Sequence, residues 1–133
     1  MVGRKKGSNA LTPLELQIMQ VLWSQGPGNV LHVQQSLSPS NDLAYNTVQT
    51  MLNILHRKGR VRRKLKGRSY VYRPVASREK VLGQAVRDLV DRMFGGSSEE
   101  LVMSLVKSRQ LDLDQIAALS RKVAAQEEGE QDD

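Results

Sequence analysis

The chain has 133 residues, of which 39% are hydrophobic, and its formal net charge is +6. That length suits one domain of ordinary size, or a small domain with a helical extension. Cysteine is absent, which excludes disulfides, thiolate metal sites and thiol nucleophiles. The sequence has neither the apolar run that a membrane helix needs nor a signal-peptide pattern at its start, so we expect a soluble, cytoplasmic protein without a membrane partner.

The positive charge is concentrated in the first part of the chain. Residues 1–76 contain 12 Lys or Arg against two acidic residues, a balance of +10, whereas residues 77–133 contain 8 against 12, a balance of −4. Such a basic region is typical of proteins that bind nucleic acid, an anionic membrane or an acidic protein. The order of the predicted elements distinguishes among these partners.

The first predicted helix has well-defined ends. Thr12 is the expected N-cap, Pro13 occupies the first helical position, and Glu15 completes a capping box. Gly26 and Pro27 end the helix. Its apolar residues cover so much of its surface that we expect it to be largely buried.

Two further helices are predicted before residue 59. The second covers about 30–37, with Leu31, Val33 and Leu37 as its apolar anchors, and is followed by the break SPSND. The third begins between residues 42 and 45 and ends at Lys58, because Gly59 is a typical residue just beyond a helix end.

The third helix is amphipathic at about 100° per residue. Its apolar side consists of Val48, Met51, Leu52 and Leu55, and the roughly opposite side consists of Asn46, Gln49, Thr50, Asn53 and Arg57. A helix face that serves only solubility usually carries Glu and Lys, because these residues are good helix formers. Asn and Thr are poor helix formers, so their presence on this face needs another reason. Side-chain amides and hydroxyls can form hydrogen bonds with the edges of bases. The polar side is therefore either a base-reading surface or, more plainly, a solvated helix face.

The segment after Gly59 predicts a β-hairpin. Val61, Leu65, Val71 and Val75 alternate with charges and tyrosines, and the turn lies at 66–69. Nine of the seventeen residues at 57–73 are basic and none is acidic. Charges placed for solubility would include Glu, although basic residues can also protect an exposed strand edge from aggregation.

Three helices followed by a basic hairpin predict a winged helix-turn-helix domain at residues 11–76. In that arrangement the third helix (about 45–58) enters the major groove of DNA and the hairpin (60–75) contacts the phosphate backbone. The predicted fold class is thus mainly α with a small β-hairpin, extended by a C-terminal helical segment.

Residues 77–124 predict three more helices, with SSEE and DLDQ as N-cap signals for the last two. About fifty residues cannot easily cover such wide apolar stripes. We expect a second copy of the chain to cover them; the alternative is that they pack on the winged domain of their own chain. The expected interface residues are Val86, Leu89, Val90, Met93, Leu101, Leu105, Ile116 and Leu119. The N-terminal tail (1–10) and the acidic tail (125–133) are expected to be disordered.

Over about residues 11–123 the sequence resembles the penicillinase repressor family. The resemblance is carried by Trp23, by LAYNTVQTMLNILHRKG and RSYVYRPV, and by the three-helix C-terminal segment. It implies a homodimeric transcriptional repressor that binds a palindromic operator in double-stranded DNA. The base contacts that it implies fall on Asn46, Thr47, Gln49 and Thr50. Backbone contacts are expected from Arg57, Arg63, Lys64, Lys66 and Arg68.

Two departures from the family concern induction. In its best-known members a membrane sensor-protease triggers cleavage of an Asn-Phe bond in the fifth helix, and the matching position here is Ser104-Leu105. A sensor-protease therefore stays an open question as a partner. The copper-responsive branch of the family uses a Cys-rich C-terminal motif, which this chain lacks.

Catalysis is not expected. His32 and His56 are the only histidines and lie on different predicted helices, without a paired carboxylate or a metal-ligand spacing. No phosphate-binding glycine loop is present, and neither a cofactor nor a metal is predicted.

The remaining alternatives are a winged helix that binds RNA or docks a protein. RNA recognition usually needs more exposed aromatic residues, and protein docking would suit an apolar third helix.

Overall fold

The computed structural model describes residues 10–37 and 42–131, which divide between Leu82 and Gly83 into two compact units. The division lies within a helix, slightly after the predicted boundary at 76. In chain order the elements are α1 (Pro13–Gln25), α2 (Val30–Leu37), α3 (Tyr45–Arg57), β1 (Val61–Lys66), β2 (Ser69–Pro74), α4 (Arg78–Met93), α5 (Ser98–Lys107) and α6 (Leu113–Gln131). The predicted fold class, mainly helical with one hairpin, is confirmed.

Helix α1 begins and ends as the sequence predicts. The Glu15 N–H donates to Thr12 Oγ1 at 3.2 Å, and the Thr12 N–H donates to Glu15 Oε1 at 2.8 Å, which completes the capping box. At the other end Gly26 has φ 87°, and its N–H donates to the Leu22 carbonyl. A residue with a Cβ would be strained in that conformation, so glycine sets the end of the helix.

Helix α2 has its predicted bounds, but one of its anchors was wrong. Leu31 is 49% exposed, and Val30 is buried instead, together with Val33 and Leu37. Val30, Val33 and Leu37 have the spacing of one helical face, whereas Leu31 lies about 100° away from it. The predicted break at 38–42 lies mostly outside the described residues.

Helix α3 begins at Tyr45, with Ala44 as its N-cap, and Lys58 is its C-cap. Val48, Leu52 and Leu55 are fully buried. The apolar side of α3 is therefore the side that packs on the core, which leaves the opposite side in solvent.

The hairpin forms as predicted, but not all of its alternating apolar residues are buried. Strands β1 and β2 are antiparallel, and Gly67, with φ 63°, begins the turn. Leu65 and Val75 are 58% and 48% exposed, whereas Tyr72 is only 2% exposed and packs in the core with Val61. Only the base of the hairpin reaches the helices, so Val61 is buried and Leu65, nearer the tip, is in solvent.

A third segment extends the sheet. The Gly28 N–H donates to the Tyr72 carbonyl at 3.1 Å, and the Tyr72 N–H donates to the Gly28 carbonyl at 2.8 Å. Strand β2 therefore lies between β1 and the segment that joins α1 to α2. A single bridge produces no periodic pattern in the sequence, so the sequence did not predict it.

The core of the first unit joins α1, α2, α3 and the two strands. Its buried residues are Ile18, Met19, Val21, Leu22, Val30, Val33, Leu37, Val48, Leu52, Leu55, Val61 and Tyr72. In addition, Trp23 Nε1 donates to the Ala76 carbonyl at 3.0 Å, which ties α1 to the chain just after the hairpin.

The second unit contains most of α4, together with α5 and α6. Ser97 caps α5 by accepting from the Glu100 N–H, and Asp112 and Gln115 form a reciprocal cap at the start of α6.

Helix α6 continues to Gln131, so residues 125–131 of the expected disordered tail are helical. Apart from Ala10, the predicted N-terminal tail lies outside the described residues. In the described part of the chain, no helix is both long and apolar enough to cross a membrane.

Candidate nucleic-acid interface

The four residues expected to contact bases lie together on the exposed side of α3. Asn46, Thr47, Gln49 and Thr50 are all exposed and occupy its first two turns. Burial of Val48 and Leu52 on the other side fixes this orientation. We call these four residues the polar stripe. It presents amide and hydroxyl groups without charge, which is the chemistry that matches the edges of base pairs.

The cations expected to contact the backbone do not form one cluster. In the hairpin register Arg63 lies opposite Tyr72, whereas Lys64 lies opposite Val71. Because side chains alternate along a strand, Arg63 shares the face of the buried Tyr72, which we call the inner face. Lys64 and Lys66 lie on the other face.

The two remaining cations of that set lie elsewhere. Arg68 is exposed in the two-residue turn at the tip of the hairpin. Arg57 is exposed at the last turn of α3. The five predicted residues thus lie on both faces and at the tip of the hairpin and at the end of α3.

Asn53 connects α3 to the hairpin. Arg63 Nη1 donates to Asn53 Oδ1 at 3.1 Å, and the Tyr72 hydroxyl donates to the same oxygen at 3.3 Å. The Arg63 guanidinium also lies 4.4 Å from the centre of the Tyr70 ring, within cation–π distance. These contacts hold the base of the hairpin and the middle of α3 in one arrangement.

The position of Asn53 on the polar side of α3 suggested a base-reading role, but the structure places its acceptor oxygen against the hairpin. Sequence reasoning missed this positioning role and that of Tyr72. The partners are separated by 10 and 19 positions in the chain. No periodic signal spans such distances, so only the folded chain reveals the contact.

One of the nine cations at 57–73 has a structural role. Lys58 Nζ lies 2.8 Å from Glu15 Oε1, and the Glu15 carboxylate is only 2% exposed. Lys58 also donates to the Ala10 carbonyl at 3.1 Å. It therefore joins the end of α3 to the start of α1 and is not available to a DNA backbone.

The ionisation of Glu15 reflects this pairing. Burial raises the pKa of the Glu15 carboxyl, but hydrogen bonds from Lys58 and the Thr12 backbone, with the nearby Lys58 charge, outweigh that effect. The pKa of Glu15 therefore lies below its ordinary value, and the carboxylate stays charged at neutral pH.

A shallow cleft of about 340 Å³ separates α3 from β1. Its lining is polar and consists of Thr50, Asn53, His56, Arg57 and Arg63. His56 is thus a half-buried residue of this cleft. Within residues 10–37 and 42–131 no group of three or more His, Asp or Glu side chains could hold a metal ion.

Comparison with known proteins identifies the family and agrees with the fold. The model of the penicillinase repressor family matches residues 11–125. The chain belongs to the penicillinase repressor family. This is a family of transcriptional repressors and not of enzymes.

Individual relatives cover most of the chain. The transcriptional regulator BlaI of Mycobacterium tuberculosis is 35% identical over 121 residues, which cover 90% of this chain and 86% of that protein. The penicillinase repressor of Bacillus licheniformis is 27% identical over 109 residues, 82% of this chain and 85% of that protein. The crystal structure of the transcriptional regulator Tm0710 from Thermotoga maritima, at 19% identity, superposes with a TM-score of 0.52 over 98% of this chain and 82% of that one, which shows a shared fold.

Proposed function

We propose that this member of the family is a dimeric repressor that binds a palindromic operator in double-stranded DNA. Helix α3 lies in the major groove, and the hairpin lies on the phosphate backbone. The observation that carries the proposal is that Asn53 holds an uncharged polar stripe and a basic hairpin in one fixed arrangement.

The two parts divide the work of recognition. Uncharged amides and hydroxyls add little affinity for arbitrary DNA, but each good bidentate base contact discriminates against a wrong base by about 1–3 kcal/mol. Cations on the hairpin contact phosphates, which are the same at every base pair and supply most of the sequence-independent affinity. Asn53 links the polar stripe rigidly to the hairpin. The phosphate contacts of the hairpin therefore determine which bases the stripe contacts.

The second unit supports dimerisation. Four of the expected interface residues are substantially exposed: Val86 51%, Leu89 40%, Met93 70% and Leu119 46%. Leu101, Leu105 and Ile116 are half-buried, and Val90, at 7% exposed, is already buried within the chain. Apolar surface of this extent favours burial against a second copy. A two-fold dimer matches a palindromic operator, because each copy binds one half-site.

Release of the repressor from DNA by a sensor-protease stays an open question. The Ser104–Leu105 bond lies inside α5, whose backbone is helical from Ser98 to Lys107. Cleavage there would require local unfolding of the helix, because proteases act on extended and accessible segments.

The first experiment identifies the nucleic acid. The full-length protein is used to select a duplex from a randomised library, and its affinity for that duplex is compared with its affinity for random duplex, single-stranded DNA and RNA. We expect the selected duplex to bind tightest, with palindromic half-sites about one helical turn or a multiple apart. Equal or tighter binding of RNA, or no binding of any nucleic acid, would favour the RNA-binding or the protein-docking alternative.

Two matched variants then test the division between stripe and hairpin. Gln49→Ala removes an amide from the polar stripe without a change in charge, so we expect a loss of about 1–3 kcal/mol for each half-site of the selected duplex and almost none on random duplex. Arg68→Ala removes one charge at each hairpin tip and should weaken both duplexes by similar factors, while it lowers the salt slope by about one unit for each protomer, about two for the dimer. The opposite pattern, with Gln49→Ala weakening both duplexes equally, contradicts the assignment.

A further inference from the structure

Tyr45 is an exposed aromatic residue at the start of α3. It is the first residue of the helix, and its exposed fraction is 43%. It does not belong to the core of the first unit, and in the part of the chain that the structure describes its ring lies against no other aromatic ring. The N-cap of α3 is the preceding Ala44. Neither the core nor the cap of α3 therefore uses this ring.

The position of Tyr45 on α3 gives the exposed ring its meaning. A single exposed apolar side chain is ordinary on a protein surface. Tyr45, however, precedes Gln49 by four residues, and residues four apart are neighbours on the same helix surface. Gln49 belongs to the polar stripe, and both side chains are exposed. The ring therefore lies beside the polar stripe, one helical turn nearer the N-terminus of α3.

The major groove of DNA presents one kind of apolar group to such a ring. Each base pair displays hydrogen-bond donors and acceptors there, and thymine alone adds a methyl group. The polar stripe supplies amides and hydroxyls for the donors and acceptors, whereas the Tyr45 ring offers an apolar surface. A tyrosine side chain has only two rotatable bonds before its hydroxyl, so little conformational entropy is lost when it is buried at an interface. The ring and the stripe thus match different features of the same groove.

We infer that Tyr45 contacts the methyl group of a thymine in each half-site and thereby selects thymine at that position. The inference rests on the proposed function and deepens it, because it names a base that the operator must contain. Tyr45 and Gln49 are separated by about 6 Å along the helix axis at roughly 1.5 Å per residue, and base pairs are stacked about 3.4 Å apart. The thymine therefore lies within about two base pairs of the base pair that Gln49 contacts.

The test removes single methyl groups from the DNA. The duplex selected with the full-length protein is remade with deoxyuridine, which pairs like thymidine but lacks the methyl group, in place of one thymine at a time in both half-sites. The base pair that Gln49 contacts is located as the one at which Gln49→Ala relaxes the base preference. For the wild type we expect a thymine within about two base pairs of it to respond, with affinity about fourfold lower for each half-site, the factor for one buried methyl group.

Variants of the protein assign the methyl contact to the ring. Tyr45→Ala should bind the thymine duplex and the deoxyuridine duplex equally, whereas Tyr45→Phe keeps the ring and should keep the fourfold response. Thr47→Ser and Thr50→Ser remove the only methyl groups of the polar stripe and retain its hydroxyls, so the response should persist in both. An unchanged melting temperature verifies that each variant folds.

Three outcomes overturn the inference: no thymine in that window responds, Tyr45→Ala retains the response, or one of the two threonine variants abolishes it. In each case the wild type still prefers the selected duplex to random duplex, so the proposed function is unaffected. A wild type that prefers no duplex to any other overturns both.

Discussion

The two units of the chain differ in how well they bury their own apolar side chains. Among the described residues, every buried apolar side chain except Val90 lies in the first unit, where α1, α2, α3 and the hairpin share one core. In the second unit, Met93 and Leu113 are 70% and 78% exposed. The first unit therefore has the features of an independently stable domain, whereas the second has the features of an interface.

The largest expected effect comes from a chain that ends at Leu82. We expect it to stay folded, because its core is complete, but to be a monomer in sedimentation. Its affinity for a duplex with two half-sites should fall by about 10² to 10⁴, because the second binding event is no longer intramolecular. Its affinity for a single half-site should be nearly unchanged. A dimeric fragment would contradict the contrast between the units.

A substitution in the full-length chain tests the same contrast without truncation. Leu119→Glu places a charge on the exposed apolar surface of α6 and should yield a monomer with the affinity of the fragment. Ser120→Glu is the matched control, since it adds the same charge at the next, exposed position. We expect it to remain a dimer. Dissociation of both variants would show that net charge, not the apolar surface, controls assembly.

A smaller effect is expected from the ion pair inside the first unit. Lys58→Ala leaves the buried Glu15 carboxylate without its cation, and removal of one partner of a buried pair is strongly destabilising. Because Lys58 is itself 20% exposed, we expect a loss of about 2–3 kcal/mol in the free energy of unfolding, at or just below the roughly 3–5 kcal/mol typical of fully buried pairs. Arg57→Ala, at the neighbouring exposed position, should change it by less than about 0.5 kcal/mol. Chemical denaturation measures both; equal losses would refute the special role of Lys58.

The same pair predicts the response of the first unit to acid. A carboxylate whose pKa is lowered on folding stabilises the fold above its ordinary pKa, and that stabilisation is lost as the pH falls through the lowered value. The contribution of Glu15 should therefore be complete at neutral pH and should decline below the ordinary value of 4.5. Lys58→Ala removes two of the interactions that lower the pKa of Glu15, the hydrogen bond from Lys58 and its positive charge. The stability of this variant should therefore depend less on acid than that of the wild type. Denaturation curves between about pH 3 and 6 test this; identical profiles would contradict it.

The smallest expected effect concerns Gly83, which lies in α4 where the two units meet in sequence. Nothing lies within 4 Å of the position that a Cβ would occupy. Glycine in a helix interior is less favourable than alanine, so Gly83→Ala should raise the free energy of unfolding by about 0.5–1 kcal/mol. Gln84→Ala, at the next exposed helical position, serves as the control and should have little effect. A destabilised Gly83→Ala protein would indicate a requirement for glycine that the helix geometry does not show.

Local signals in the sequence predicted most of the elements. The capping box at Thr12 and Glu15, the glycine after α1 and the change from helical to strand periodicity after Gly59 each depend on neighbouring residues, and the structure confirmed them. Three residues of the polar stripe, Asn46, Gln49 and Thr50, also followed from the helical period, whereas Thr47 was expected only from the family resemblance. Periodicity determines which residues share a face, and burial of one face of α3 then leaves the other in solvent.

What the sequence by itself determined is thus the order of the elements, their faces and the charge of the hairpin. Only the tertiary structure decided which residues meet across the chain: Glu15 with Lys58, Asn53 with Arg63 and Tyr72, and Gly28 with β2. It also decided that Leu31 and Leu65 are exposed, because the depth to which a helix or hairpin enters the core depends on the elements packed against it. Such contacts join positions that are distant in the chain and follow no period. No short stretch of sequence therefore specifies them, because they form only when the elements pack together.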